Sequence, residues 1–489
     1  MRHTLQLLVM ALLLAMSVQA QQVLGQRPTA TARTFTLDLT DDGKAQMVCF
    51  LPVEQPVDGS SALAPAAASR NMMKKAVVGI PGGGYSMLSN THEGTLAADW
   101  MNGQGIAYFV VNYRLPDGDR TKPIGDVEKA IRIVRDSAQV WGINPHDVGV
   151  MGFSAGGHLA SVISTHSDFA VRPDFTILFY PVISMDERVS HKWSCRNFLG
   201  EEGQKDPALV RDFSTHKAVR RHLTPPACII MASDDRLVPP VTNGVQYYSA
   251  MRNNGNECAM YIYPTGDHGF GFGPWFKYHD QMLADLGSWL HARQAPKADA
   301  IRVACIGNSI TDGHGIDMAP AYGYPAELQK ILGDKYWVKN FGVSGRTLLN
   351  KGDQPYMNEM AWRDALAFRP DIVVIKLGTN DSKPQNWQHG DEFRHDLEQM
   401  IATLNTGIKP QIFLCTPIPA FKSTWNISDS VIVNGIIPIQ QEVAKEHGLR
   451  VIDLHTLFAG DGDKMLTDGI HPDGKGARRL AEIIAAEIK

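Results

Sequence analysis

Twice along this chain an apolar, strand-like run ends in a short glycine-flanked turn built round a serine, and each time further Gly, Asp and His blocks accompany it. The first turn is Gly152-Phe153-Ser154-Ala155-Gly156, with Gly82-Gly83-Gly84 upstream and Asp235 and His268 downstream. The second is Gly307-Asn308-Ser309, followed by Gly345, by Gly378-Thr379-Asn380 and by Asp468-Gly469-Ile470-His471. A sharp turn at the carboxyl end of a buried strand belongs to an open parallel sheet with helices on both faces, where functional loops gather. The two sets share no spacing, so the pattern predicts two different α/β units rather than one fold repeated.

The length agrees, because 489 residues exceed what one hydrophobic core normally organises. A first domain is expected over residues 30–292, with buried strands at 76–80, 107–112, 148–151, 176–180, 227–232 and 259–263. Between the second and third of these, Val127, Ala130, Ile131, Val134 and Ala138 recur at helical spacing and should face the sheet. Residues 293–300, small, polar and holding Pro296, read as a linker. A second domain over 301–489 is expected to start its own alternation, with strands at 301–306, 337–340, 372–376, 411–415 and 450–452. It closes on an amphipathic helix carrying Ala477, Leu480, Ala481, Ile484 and Ile488 on one face.

A net charge of −4 with dispersed Lys and Arg gives no field for nucleic acid. Residues 1–20 carry Arg2 and His3, then an apolar stretch from Leu5 to Met16, then the small-residue end Val18-Gln19-Ala20. That reads as a cleavable signal peptide, with a mature chain starting near Gln21 in the periplasm or outside the cell. The stretch is shorter than the ~20 residues that span a bilayer, and no membrane span is expected. Six cysteines in such a length do not make a disulfide scaffold. A bridge between Cys228 and Cys258, each just ahead of or within a strand, stays open because spacing does not supply geometry.

Ser154 sits where a strand meets a helix, and glycines on both sides let the backbone turn tightly enough to present the hydroxyl to a base. Gly83 and Gly84, with no side chains in the way, can aim backbone N–H groups at a developing oxyanion, together with the N–H of Ala155. Asp235 and His268 each follow a strand, and the order Ser, Asp, His completes the set. Residues 30–292 thus resemble the α/β-hydrolase fold, and more narrowly the bacterial esterase and lipase-like group that includes acetyl and feruloyl esterases of plant polysaccharides. The resemblance implies Ser154 as nucleophile, His268 as general base and then acid, and Asp235 as its carboxylate. Asp235 is preferred to Asp234 because the family's acid stands four residues before the Pro of a Val-Pro turn, here Pro239. Pro81 replaces the His that usually precedes the three glycines. His158, His166 and His191 are expected at the surface or in helix packing, and Asp267 in a turn.

Residues 300–489, through the four blocks at 307–309, 340–345, 376–381 and 468–472, resemble the SGNH or GDSL-type hydrolases, which have a flavodoxin-like three-layer fold. The resemblance implies Ser309 as nucleophile, His471 as base and Asp468 as its partner. The oxyanion hole would be the N–H of Ser309, the N–H of Gly345 and the side-chain amide of Asn380. Asn308 stands where the name motif has Asp. Asp312 and Asp381 read as loop-capping carboxylates. Neither set needs a metal or another cofactor. Two such domains together imply an ester hydrolase of acylated oligo- or polysaccharide such as acetylated xylan. Sialate, feruloyl, lipid or aryl esters are the rival substrates, and a non-catalytic carbohydrate-binding role for one domain is the rival class. Each set holds its own complete machinery, so the two are expected to work separately.

Overall fold

A computed structural model describes residues 32–52 and 73–489, and the signal-peptide reading and the Ala- and Ser-rich stretch 60–69 fall outside them. The first sheet has eight strands: β1 (Ala32–Asp38), β2 (Gln46–Pro52), β3 (Lys74–Ile80), β4 (Ala107–Asn112), β5 (Ile143–Phe153), β6 (Thr176–Phe179), β7 (Ala227–Ala232) and β8 (Cys258–Tyr263). Their order is β1-β2-β4-β3-β5-β6-β7-β8. From β4 to β8 all neighbours run parallel, while β1 and β2 form an antiparallel edge. This is the α/β-hydrolase arrangement. Helix α1 (Thr121–Asp136) lays Val127, Ala130, Ile131 and Val134 on the sheet, and Ala138, also buried, opens the following turn of helix. Helix α2 (Ala155–His166), which follows the Ser154 turn, is buried on almost every side, as a helix against the middle of a covered sheet must be.

The second sheet is wholly parallel: β9 (Ile301–Gly307), β10 (Tyr336–Gly342), β11 (Ile372–Lys376), β12 (Gln411–Cys415) and β13 (Arg450–Ile452), in the order β10-β9-β11-β12-β13. That is the doubly wound order of a flavodoxin-like sheet, with its switch point beside β9. The last helix, α3 (Gly474–Ile488), buries the five apolar residues expected of it. Among the described residues no helix is long and apolar enough to cross a membrane.

All six cysteines are free. In the β7/β8 ladder Cys228 is level with Ala259, and Cys258 with Ala227. The one-residue offset points the two thiols to opposite faces of the sheet, so no bridge joins them. Cys228 belongs to one core layer and Cys258 packs against the other.

The two sheets do not hang on a free tether. Phe169 stands edge-on to Phe341 and Phe368, with ring centroids 6.5 and 5.7 Å away, and Leu223 packs against the same second-half core. Asn144 donates to the Pro296 carbonyl at 2.8 Å, fastening the linker. Arg172 grips both carboxylate oxygens of Asp364 at 2.5 and 3.3 Å, with side chains only 6% and 4% exposed. Removing one partner of such a pair strands a buried charge, a loss of about 3–5 kcal/mol, whereas replacing both with apolar residues can be near neutral. Arg172→Ala should therefore lower the denaturant midpoint clearly, and Arg172→Met with Asp364→Leu should restore most of it. A single variant with the wild-type midpoint would show the pair to be energetically idle.

Candidate active sites

At the end of β5 the chain turns at Ser154 with φ 53° and ψ −118°, a left-handed conformation that costs a residue with a side chain roughly 1–3 kcal/mol. The neighbours make it possible. A Cβ on Gly152 would strike the Gly156 carbonyl, and one on Gly156 would strike the Ile80 carbonyl. The Ser154 N–H donates to Phe179 O at 3.0 Å and the Ser154 carbonyl accepts from Val182 at 3.1 Å, pinning the turn on both sides.

His268 Nε2 lies 2.8 Å from Ser154 Oγ and Nδ1 lies 2.7 Å from Asp235 Oδ2. The other Asp235 oxygen accepts the N–H groups of Leu237 and Val238 at 3.0 and 2.8 Å. A carboxylate so fixed holds the proton on Nδ1 and leaves Nε2 free to accept from the serine. Asp234 faces elsewhere and accepts from the Gly266 and Asp267 N–H groups at 2.9 and 2.8 Å, shaping the loop that carries His268.

Gly83 at φ 119° and Gly84 at φ 66° bend the loop after β3, and a Cβ on Gly83 would collide with the Met87 carbonyl. These glycines, Ser154, His191, Trp193 and His268 line a cavity of about 570 Å³. His191 precedes the helix Lys192–Gly203, meets Ser194 Oγ through Nδ1 at 2.8 Å as a helix-packing residue, and also forms part of this wall. His158 is fully buried between the Tyr85 hydroxyl and the Phe213 carbonyl, and His166 stacks on Phe213.

Glu93 escaped the sequence reading. Its carboxylate accepts the Gly82 N–H at 3.0 Å and the Tyr180 hydroxyl at 2.9 Å, and Tyr180 oxygen accepts the Gly271 N–H at 2.8 Å. One buried side chain thereby ties the glycine loop to the segment after His268, and its burial pushes its carboxyl above the usual range. It lies on a five-residue turn of π-helix, Thr91–Thr95, which leaves no periodic mark in a sequence.

In the second sheet Ser309 opens a one-turn helix, Ser309–Asp312, directly after β9, and Asn308 caps it by accepting from Ile310 N–H at 3.1 Å. His471 Nε2 is 2.7 Å from Ser309 Oγ and Nδ1 is 3.0 Å from Asp468 Oδ2. Asp468 Oδ1 accepts the N–H groups of Ile470 and His471 at 2.7 and 2.9 Å, the same device as at Asp235. Gly345, at φ 83°, follows β10, and Asn380 follows β11. The Asn380 amide donates one hydrogen to Arg346 O at 3.1 Å, which links it to the Gly345 turn and leaves its second hydrogen available. His314 and Trp425 crowd the His471 ring at 4.5 and 5.3 Å between centroids, and neither drew notice in the sequence. Asp381 is fully buried, accepts from Leu349 N–H at 2.8 Å and is pushed up to about 6 by burial. Asp312, expected only to cap its own loop, reaches Arg221 and His222 of the first half. Among the described residues no group of three His, Cys, Asp or Glu side chains is placed to hold a metal ion.

Burial pushes the His471 imidazole below its ordinary 6.5, against the opposing pull of Asp468. A base must be neutral to accept a proton, so a lowered value moves its active form to lower pH. In a Ser154→Ala background, the rate at Ser309 should rise to its plateau with an inflection below 6.5. An inflection well above that, with chemistry limiting, would take His471 out of the base role.

Residues 305–479 match the GDSL-like Lipase/Acylhydrolase family, and residues 63–249 match the BD-FAE family. An acetylxylan esterase of Xylanibacter ruminicola is 68% identical over 496 aligned residues, 98% of this chain and 98% of its own. The chain belongs to the family of that esterase. The amino-terminal match is thus to an α/β-hydrolase esterase family and the carboxyl-terminal match to a GDSL-like hydrolase family. A further relative, endo-1,4-beta-xylanase B of Butyrivibrio fibrisolvens, is 34% identical over 205 residues, 39% of this chain and 31% of its own. Among solved structures, an acetyl ester-xyloside bifunctional hydrolase from Caldicellulosiruptor lactoaceticus is 29% identical, covering 55% of this chain and 98% of its own at a TM-score of 0.46.

Proposed function

We propose that this protein is an exported carbohydrate esterase that removes O-acetyl groups from acetylated xylan at two separate serine sites. The observation that carries the reading is the pair of hydrogen-bonded Ser–His–Asp sets in a chain 68% identical to an acetylxylan esterase. In the first half, His268 takes the Ser154 proton as the hydroxyl attacks the acetyl carbonyl, and Asp235 steadies the imidazolium. N–H groups of Gly83, Gly84 and Ala155 receive the oxyanion. The freed sugar oxygen leaves with the proton from His268, and water, activated by the same His, releases acetate from the acetyl-serine. In the second half Ser309, His471 and Asp468 perform the same sequence, with Ser309 N–H, Gly345 N–H and the Asn380 amide at the oxyanion.

The wall of the first site favours a sugar. Trp193 is 62% exposed at the cavity edge, a flat apolar face with a polar tip that suits a pyranose ring.

Acetate release from acetylated xylan by Ser154→Ala and by Ser309→Ala tests the assignment. Each variant should still release acetate, from different positions or to different extents, since unlike pockets read neighbouring groups differently. Hydrolysis of sialate, aryl or lipid esters with no action on acetylated xylan would replace the proposed substrate. Release of hydroxycinnamate by one site would broaden it. The amino terminus of the exported protein should begin near Gln21.

A further inference from the structure

Asp312 ends the one-turn helix that begins at Ser309, and its carboxylate joins three parts of the molecule. Oδ2 accepts the hydroxyl of Ser344, the residue before Gly345. Oδ1 faces Arg221 Nε at 3.2 Å and His222 Nε2 at 3.1 Å, both from the first half of the chain. The same His222 nitrogen is 2.9 Å from the Asp312 carbonyl, and Arg221 donates to the Gly313 carbonyl at 3.2 Å. Two carbonyls and one carboxylate at the end of the Ser309 turn are thus held by a loop from another sheet.

That loop is itself locked. His222 sits at φ 62°, a conformation with a cost, and its backbone N–H donates to Asn256 Oδ1 at 3.1 Å while Asn256 Nδ2 donates to Arg220 O at 2.9 Å. The His222 ring is nearly buried, at 4% exposure. Burial would raise the Asp312 carboxyl, but hydrogen bonds from His222 and Ser344 and the nearby Arg221 charge hold it below the usual range. It is therefore an ionised acceptor, and bonds to such a group are short and strong.

We propose that Arg221 and His222 are positioning residues for the second site, setting the Ser309 turn against the Ser344–Gly345 turn through Asp312. The inference rests on Ser309 being a nucleophile. It makes the second site complete only when the first half is docked on it, although among the described residues no first-half side chain is hydrogen-bonded to Ser309 Oγ or to the His471 ring. A displacement of about 1 Å between nucleophile and oxyanion donor can cost on the order of a hundredfold in rate.

The test compares Ser154→Ala with Ser154→Ala/His222→Ala and Ser154→Ala/His222→Gln, in the full chain, on a small acetyl ester. Removing His222 should lower kcat about ten- to a hundredfold with KM little changed. Gln, whose amide can donate to the same carboxylate, should recover most of it. Two controls accompany these: the unfolding midpoint, and Ser309→Ala/His222→Ala, in which the Ser154 site should run at its Ser309→Ala rate. An unchanged kcat overturns the proposal. So does a loss that Gln does not recover, or one matched by an equal loss at the Ser154 site or by a fall in the midpoint, because those describe interface glue alone. Were Ser154→Ala inactive before His222 is touched, with Ser309 unlabelled by a fluorophosphonate, the reading of Ser309 would fail and the inference with it.

Discussion

With Ser154→Ala and Ser309→Ala combined, cleavage of every ester should fall to background, while either substitution alone leaves one working site. Loss of the nucleophile from a serine relay costs on the order of 10⁶ in kcat, so what survives in a single variant measures the other site almost cleanly. The expectation follows from the separate histidines, 2.7 and 2.8 Å from their own serines, each with its own carboxylate. A fluorophosphonate should label the wild type twice, each single variant once and the double variant not at all. A folded single variant devoid of activity on every ester would make one half a binding module.

Asp235→Asn, made in a Ser309→Ala background, should reduce kcat by as much as ~10⁴. The reason is geometric. Leu237 and Val238 both donate to Asp235 Oδ1, so an Asn there must place its carbonyl oxygen in that position and turn its NH₂ toward His268 Nδ1. The ring is then driven to the tautomer with its proton on Nε2, facing Ser154 and unable to accept. Asp234→Asn has no such consequence, because its carbonyl can still accept from Gly266 and Asp267. Steady-state rates of the two variants decide the matter, and a larger loss at 234 would reverse the roles.

Much of this could be read from the chain. Parallel strands buried on both faces, such as β7 with all six residues covered, appear as unbroken apolar runs, and the candidate site residues stand just past their ends. The edge pair β1 and β2 was hidden because half-buried antiparallel strands alternate, and Thr34, Thr36 and Asp38 dilute the signal. Ser154, Asp235 and His268 are named by local motifs, whereas Glu93 is not, since its worth comes from Gly82 and Tyr180, one on each side of it in space and the latter 87 residues away in the chain. Arg172 with Asp364, and His222 with Asp312, are further apart still, 192 and 90 residues. Nothing in one sequence marks an arginine or a histidine as belonging to a distant aspartate until packing brings them together.

The docked linker alters what proteolysis would mean for this molecule. Residues 297–299 are exposed and offer a protease an accessible bond, yet the aromatic contacts of Phe169 and the Arg172–Asp364 pair lie elsewhere. A cut there would leave two chains in one particle, migrating as fragments only after denaturation. Genetic separation at the same place would break the Phe169 contacts with Phe341 and Phe368 and leave Arg172 on one piece and Asp364 on the other, each without its partner. The peptide connection is thus a convenience of synthesis, and the interface is what makes the two halves one body.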